Sequence, residues 1–76
     1  MYKRYSKQRT LILEIVKSTH SHPSADWIYN KARKIMTKIS RGTVYRNLNQ
    51  LAENGEINVI KDGDVIKYDG NILRHD

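Results

Sequence analysis

The chain has 76 residues, 38% of them hydrophobic, with 14 Lys and Arg against 8 Asp and Glu and no cysteine. That length makes one small domain near the lower limit of unaided folding, whose modest core leaves little room for an enclosed catalytic cleft. A formal charge of +6 and a pI of about 9.8 favour a polyanionic partner, nucleic acid before an anionic membrane. The lack of cysteine excludes a disulfide framework, a cysteine zinc site and a thiol nucleophile within these residues.

Met1 to Tyr5 is short and basic, with Lys3 and Arg4 beside two tyrosines, and reads as a frayed terminus or an arm that touches a phosphate or a minor groove. Ser6 is a plausible N-cap for a first helix from Lys7 to about Thr19. Its core stripe is Leu11, Ile12, Ile15 and Val16. His20-Ser21-His22-Pro23 ends it, because a residue before proline avoids the helical region. Ser24 then caps a second helix, with Asp26 in its first turn. Ile28, Ala32 and Ile35 give that helix its apolar stripe, flanked by Tyr29 and Met36, while Lys31, Arg33, Lys34 and Lys38 form a basic back. Trp27 falls off the stripe and is expected at the surface or against another segment.

The third helix begins at the cap Ser40 and stops at Asn54-Gly55. Val44, Leu48 and Leu51 make a narrow apolar stripe. At about 100° per residue, Gly42, Tyr45, Arg46, Asn49 and Glu53 fall on the far side. Arginine and asparagine can read base edges through paired hydrogen bonds, and an aromatic ring can meet a thymine methyl. Ser40, Arg41, Gly42 and Thr43 lie at the helix N-terminus, where backbone N–H groups and hydroxyls suit a phosphate. After Gly55 the period changes to about two, with strands expected at 56–61 and 65–69 around an Asp62-Gly63-Asp64 turn. Lys61 and Lys67 of this hairpin are candidate phosphate contacts. The fold class is therefore mainly α with a small β-hairpin, a winged helix-turn-helix filling residues 1–76.

Four stretches at this spacing resemble the N-terminal DNA-binding domain of the ferric uptake regulator family, the bacterial metal- and peroxide-responsive repressors. They are Ser6-Lys7-Gln8-Arg9, His22 to Tyr29, Thr43-Val44-Tyr45-Arg46-Asn47-Leu48, and Lys67-Tyr68-Asp69-Gly70-Asn71. Lys7 replaces the family's usual proline after the first cap. The resemblance places Tyr45 and Arg46 in the major groove, and Asn49 is a weaker base-edge candidate. Arg9 is a candidate phosphate contact, and the resemblance matches Arg4 to a position that reaches an A/T-rich minor groove. It implies a double-stranded, palindromic, A/T-rich operator and a homodimer built by a second, C-terminal domain not contained in this sequence. This portion alone is then expected to be monomeric.

The resemblance also matches His22, Asp69 and His75 to part of a regulatory metal site. Their spacing alone carries no metal signal, but imidazole and carboxylate ligands suit Fe²⁺, Mn²⁺ or Zn²⁺. With further ligands in the second domain, these residues alone are expected to hold no metal stably. Aspartate at 69 leans toward the peroxide-sensing branch, in which bound iron and peroxide oxidise a histidine ligand and release the DNA. His20 has no matching role. No apolar run approaches the roughly 18 residues of a membrane span and no signal peptide is evident, so the expected location is cytoplasmic. An enzyme finds no phosphate loop, nucleophile–base pair or paired carboxylates here. The remaining alternative is a winged helix used for protein–protein or RNA contact without duplex readout.

Overall fold

A computed structural model describes residues 6–70. Three helices, α1 (Lys7–Lys17), α2 (Ala25–Ile35) and α3 (Arg41–Glu53), precede an antiparallel hairpin of β1 (Asn58–Asp62) and β2 (Val65–Asp69). Each helix starts on a serine whose hydroxyl accepts a backbone N–H of the first turn. Ser6 takes Arg9, Ser24 takes Trp27 and Ser40 takes Thr43. The order and the caps agree with the sequence, and the fold is the expected winged helix.

One core joins the helices and the root of the wing. It contains Ile12, Ile15 and Val16 from α1, Ile28 and Ala32 from α2, and Val44, Leu48 and Leu51 from α3. Ile39, Ile57 and Tyr68 close its edges. Each fully buried aliphatic side chain contributes about 1.5–3 kcal/mol relative to exposure.

Four expectations are corrected in detail. Helix α1 stops at Lys17 rather than near Thr19, because the Ser18 hydroxyl donates to the Ile15 carbonyl and satisfies the helix end. Ile35 is 69% exposed and does not extend the α2 stripe. The helix ends at that residue, and Met36 leaves it in an extended conformation (φ −111°, ψ 91°) and packs against the core instead. Strand β1 begins at Asn58 rather than Glu56, since Ile57 turns into the core before the ladder starts. Asp62 pairs with Val65, so the turn proper is Gly63-Asp64, with Gly63 supplying the positive φ of 63° at its first central position.

The wing is fastened to the helices at its root. Tyr68 N–H donates to the Pro23 carbonyl at 2.9 Å, and Ser24 forms an isolated bridge with Lys67, so the chain entering α2 runs beside β2 for a residue or two. Just beyond, Gly70 passes so close to the end of α1 that a Cβ there would lie 2.9 Å from Lys17 Cα. Only glycine allows that approach.

Candidate nucleic-acid interface

Helix α3 is the exposed-face helix the sequence describes. Val44, Leu48 and Leu51 are buried, while Gly42, Tyr45, Arg46 and Asn49 are exposed, Tyr45 at 44%. Among the described residues neither Arg46 nor Asn49 has a hydrogen-bond or ion-pair partner, so both polar heads point outward uncommitted. Gly42 lies in the first turn and leaves the backbone there open.

The other residues assigned to the helix N-terminus are more engaged. Ser40 caps the helix and also donates its hydroxyl proton to Thr43 Oγ1 at 3.0 Å. Arg41 is ion-paired with Asp26 and lies over the Tyr29 ring, 4.5 Å from its centroid. It therefore joins α3 to α2 while its side chain stays about half exposed. Arg9 is half-buried, and its Nε donates to Asn47 Oδ1 at 3.0 Å. Arg4 lies outside the described residues.

The wing lysines do not act as a pair. Cross-strand partners share a face, and Lys61 pairs with Ile66 whereas Lys67 pairs with Ile60, so the two lysines occupy opposite faces. Lys61 is exposed, while Lys67 is half-buried with its Nζ 4.0 Å from Asp62. Between α3 and the wing runs a groove of about 440 Å³, lined by Tyr45 and Asn49 on one side and Asp64, Ile66 and Tyr68 on the other. Burial pushes the Tyr68 phenol above its ordinary pKa, with the neighbouring Tyr45 phenol adding to the effect.

Two of the three residues matched to a metal site are brought together. His22 Nε2 lies 3.9 Å from Asp69 Oδ2, with the histidine about half exposed and the aspartate largely covered. The strand-like run beside β2 creates this proximity, because it sets the residue before Pro23 against the residue after Tyr68. His22 itself has φ 53°, a left-handed conformation uncommon for a side chain of its size. The separation is within the reach of two ligands that each bond one ion at about 2.0–2.2 Å, and the nitrogen–carboxylate set suits a divalent transition metal. His75 lies outside the described residues, and among the described residues no group of three or more ligand side chains forms.

Sequence pattern missed two residues that shape this surface. Asn47 is buried at 7% exposure, although a polar residue on an amphipathic helix is read as solvated. Tyr68 was visible as a strand residue, but its place between the core and the α3 groove depends on pairing with Pro23. No helix of the described residues is long and apolar enough to cross a membrane.

Comparison with known proteins identifies the family. The profile of the ferric uptake regulator family matches residues 2–76. The peroxide-responsive repressor PerR of Staphylococcus epidermidis is 34% identical over 73 residues, which cover 95% of this chain and 49% of that protein. Among solved structures, the Campylobacter jejuni peroxide stress regulator superposes with a TM-score of 0.78 at 36% identity, covering 90% of this chain and 50% of that one. The Helicobacter pylori ferric uptake regulator Fur, described with three functional metal-binding sites, gives a TM-score of 0.86 at 26% identity over 95% of this chain and 49% of its own. The chain thus spans about half the length of the relatives it matches. With the winged helix, the outward face of α3 and the paired His22 and Asp69 all in place, the chain belongs to the ferric uptake regulator family.

Proposed function

We propose that this domain reads double-stranded DNA with α3 in the major groove, as the DNA-binding part of a metal-dependent repressor. The observation that carries the reading is the outward face of α3, where Arg46 and Asn49 stand uncommitted beside Tyr45 and an open Gly42 backbone. Arg46 takes a base edge or adjacent phosphate, Asn49 a base edge, and Tyr45 a thymine methyl or sugar. The Ser40–Thr43 turn and Arg41 meet the backbone. Lys61 is the wing residue free to join them, and Arg4 is assigned to an A/T-rich minor groove. The operator is palindromic and A/T-rich, read by a homodimer of the whole protein.

His22 and Asp69 are two ligands of the regulatory metal site, with His75 a third. When bound, the ion supplies positive charge and a fixed link at the root of the wing. The chain's own contribution is to hold the imidazole and the carboxylate on either side of the junction between the helices and the hairpin. Similarity to proteins named peroxide-responsive repressors, together with aspartate at position 69, favours the peroxide-sensing branch.

The test is a salt titration of binding to an A/T-rich palindromic duplex and to a scrambled duplex. Each phosphate contact adds about 0.9 to the slope of log affinity against log salt. A steep slope with a preference for the palindrome that Arg46→Ala abolishes supports readout by α3. Equal binding to both duplexes contradicts it, and no binding at low salt returns the domain to protein contact.

A further inference from the structure

The Val44, Leu48 and Leu51 stripe sets which side of α3 is buried, but apolar packing is non-directional and leaves the finer rotation of the helix about its axis to directional contacts. Base readout depends on that rotation, because neighbouring side chains are about 100° apart around the helix. At that spacing Tyr45 lies beside the stripe on the wing side, with Asn49 further round the helix. Thr43 and Asn47 flank the stripe on its other side. Asn47 is the one buried polar residue among the described residues, and its amide is used at both ends. Nδ2 donates to the Thr43 carbonyl one turn earlier at 2.8 Å, which fixes the side chain against its own helix. Oδ1 accepts from Arg9 Nε at 3.0 Å, which ties that fixed side chain to the first turn of α1. Both bonds are partly buried, where a hydrogen bond is directional and costly to leave unmade.

We propose that Arg9 and Asn47 form a polar pin that sets the rotation of α3, making Arg9 a positioning residue for DNA readout rather than a direct phosphate contact. The proposal rests on the DNA-binding reading above. A partly buried polar pair suits this task, since registry is the best-attested use of such groups. The Nε–H also discriminates between the two roles. A phosphate contact needs only the positive charge, whereas the pin needs a donor at this place and an oxygen at Asn47.

The experiment compares Arg9→Ala, Asn47→Leu and the double variant on the palindromic and scrambled duplexes across a salt series. Each single change should lower the preference for the palindrome by about three- to tenfold, the size of one hydrogen bond. The double variant should lose no more than either single one, and the salt slopes should not change. Asn47→Asp keeps an oxygen for Arg9 and should retain more preference than Asn47→Leu. A slope reduced by about 0.9 in Arg9→Ala, with both duplexes weakened alike and Asn47→Leu without effect, would overturn the pin in favour of a phosphate contact. The pin is also read without DNA. In ¹H–¹⁵N spectra of the wild-type domain the Arg9 Nε–H should exchange slowly, and should exchange fast in Asn47→Leu. Fast exchange in the wild type overturns the proposal. Slow exchange in a domain that shows no duplex preference retains the pin as a structural bond and refutes the DNA-binding reading instead.

Discussion

Gly42→Ala is expected to move stability and DNA binding in opposite directions. An added Cβ at Gly42 would meet nothing nearer than Ser40 Oγ at 3.9 Å, an ordinary contact, and the backbone there is not left-handed. The fold therefore has no steric need for glycine at this position. Replacing glycine by alanine at a compatible helical site stabilises by about 0.4–1 kcal/mol, chiefly by restricting the unfolded chain. For a domain of this size that raises Tm by about 2–8 °C. The same methyl group stands where a phosphate would approach the first-turn N–H groups. Losing one charge-assisted hydrogen bond worth about 1.5–3 kcal/mol weakens binding by about 10- to 150-fold. Thermal melts followed by circular dichroism, and duplex titration by fluorescence anisotropy, measure both effects on one sample. A higher Tm with unchanged affinity would show that DNA does not come close to Gly42. A lower Tm would refute the steric reading of the helix start.

Other substitutions check separate parts of the structure. Gly70→Ala should destabilise by about 1–3 kcal/mol in urea unfolding, because its Cβ would press on the α1 backbone at Lys17. Ile28→Ala should cost about 2–5 kcal/mol, whereas Ile35→Lys should stay within about 0.5 kcal/mol of wild type, separating a core position from an exposed one about two turns further on. Tyr68 has its folded pKa raised above the unfolded value of 10.0, so its contribution is fully present below that value and is lost as pH rises through the folded pKa. Stability measured across that alkaline range should fall less steeply in Tyr68→Phe. In Zn²⁺ titrations by calorimetry, His22→Ala and Asp69→Ala should each weaken any binding seen in the wild-type domain, and unchanged isotherms would remove the pair from the metal site.

The sequence made the local features readable and left the non-local ones hidden. Ser6, Ser24 and Ser40 announce the helix starts because capping is settled within four residues. Val44, Leu48 and Leu51 announce the buried side of α3 because its period persists over the whole helix. Ile35 misleads for the opposite reason. It keeps its helical place on the stripe, but as the last residue of α2 it lies beyond the core and stays exposed, while Met36 packs inward. Asn47 is hidden because polarity is read as exposure, and its burial is made tolerable by the Thr43 carbonyl together with the distant Arg9. The proximity of His22 and Asp69 has no periodic signature at all. It follows from the alignment of Pro23 and Ser24 with β2, which no spacing reveals, and here the family resemblance supplied what local physics could not.

That alignment has a consequence for heat resistance. The path along the chain from His22 to Asp69 runs through α2, α3 and both strands of the wing, so a bond between the two side chains closes a ring around most of the domain. Joining the ends of a flexible chain removes more freedom from the unfolded state as the enclosed segment lengthens, though only logarithmically. An ion clasped by both residues would act as a removable staple on the folded form, raising the melting temperature with the logarithm of its concentration relative to its dissociation constant. In the whole protein, with the remaining ligands supplied, thermal stability would then gauge occupancy at this junction before any operator is added.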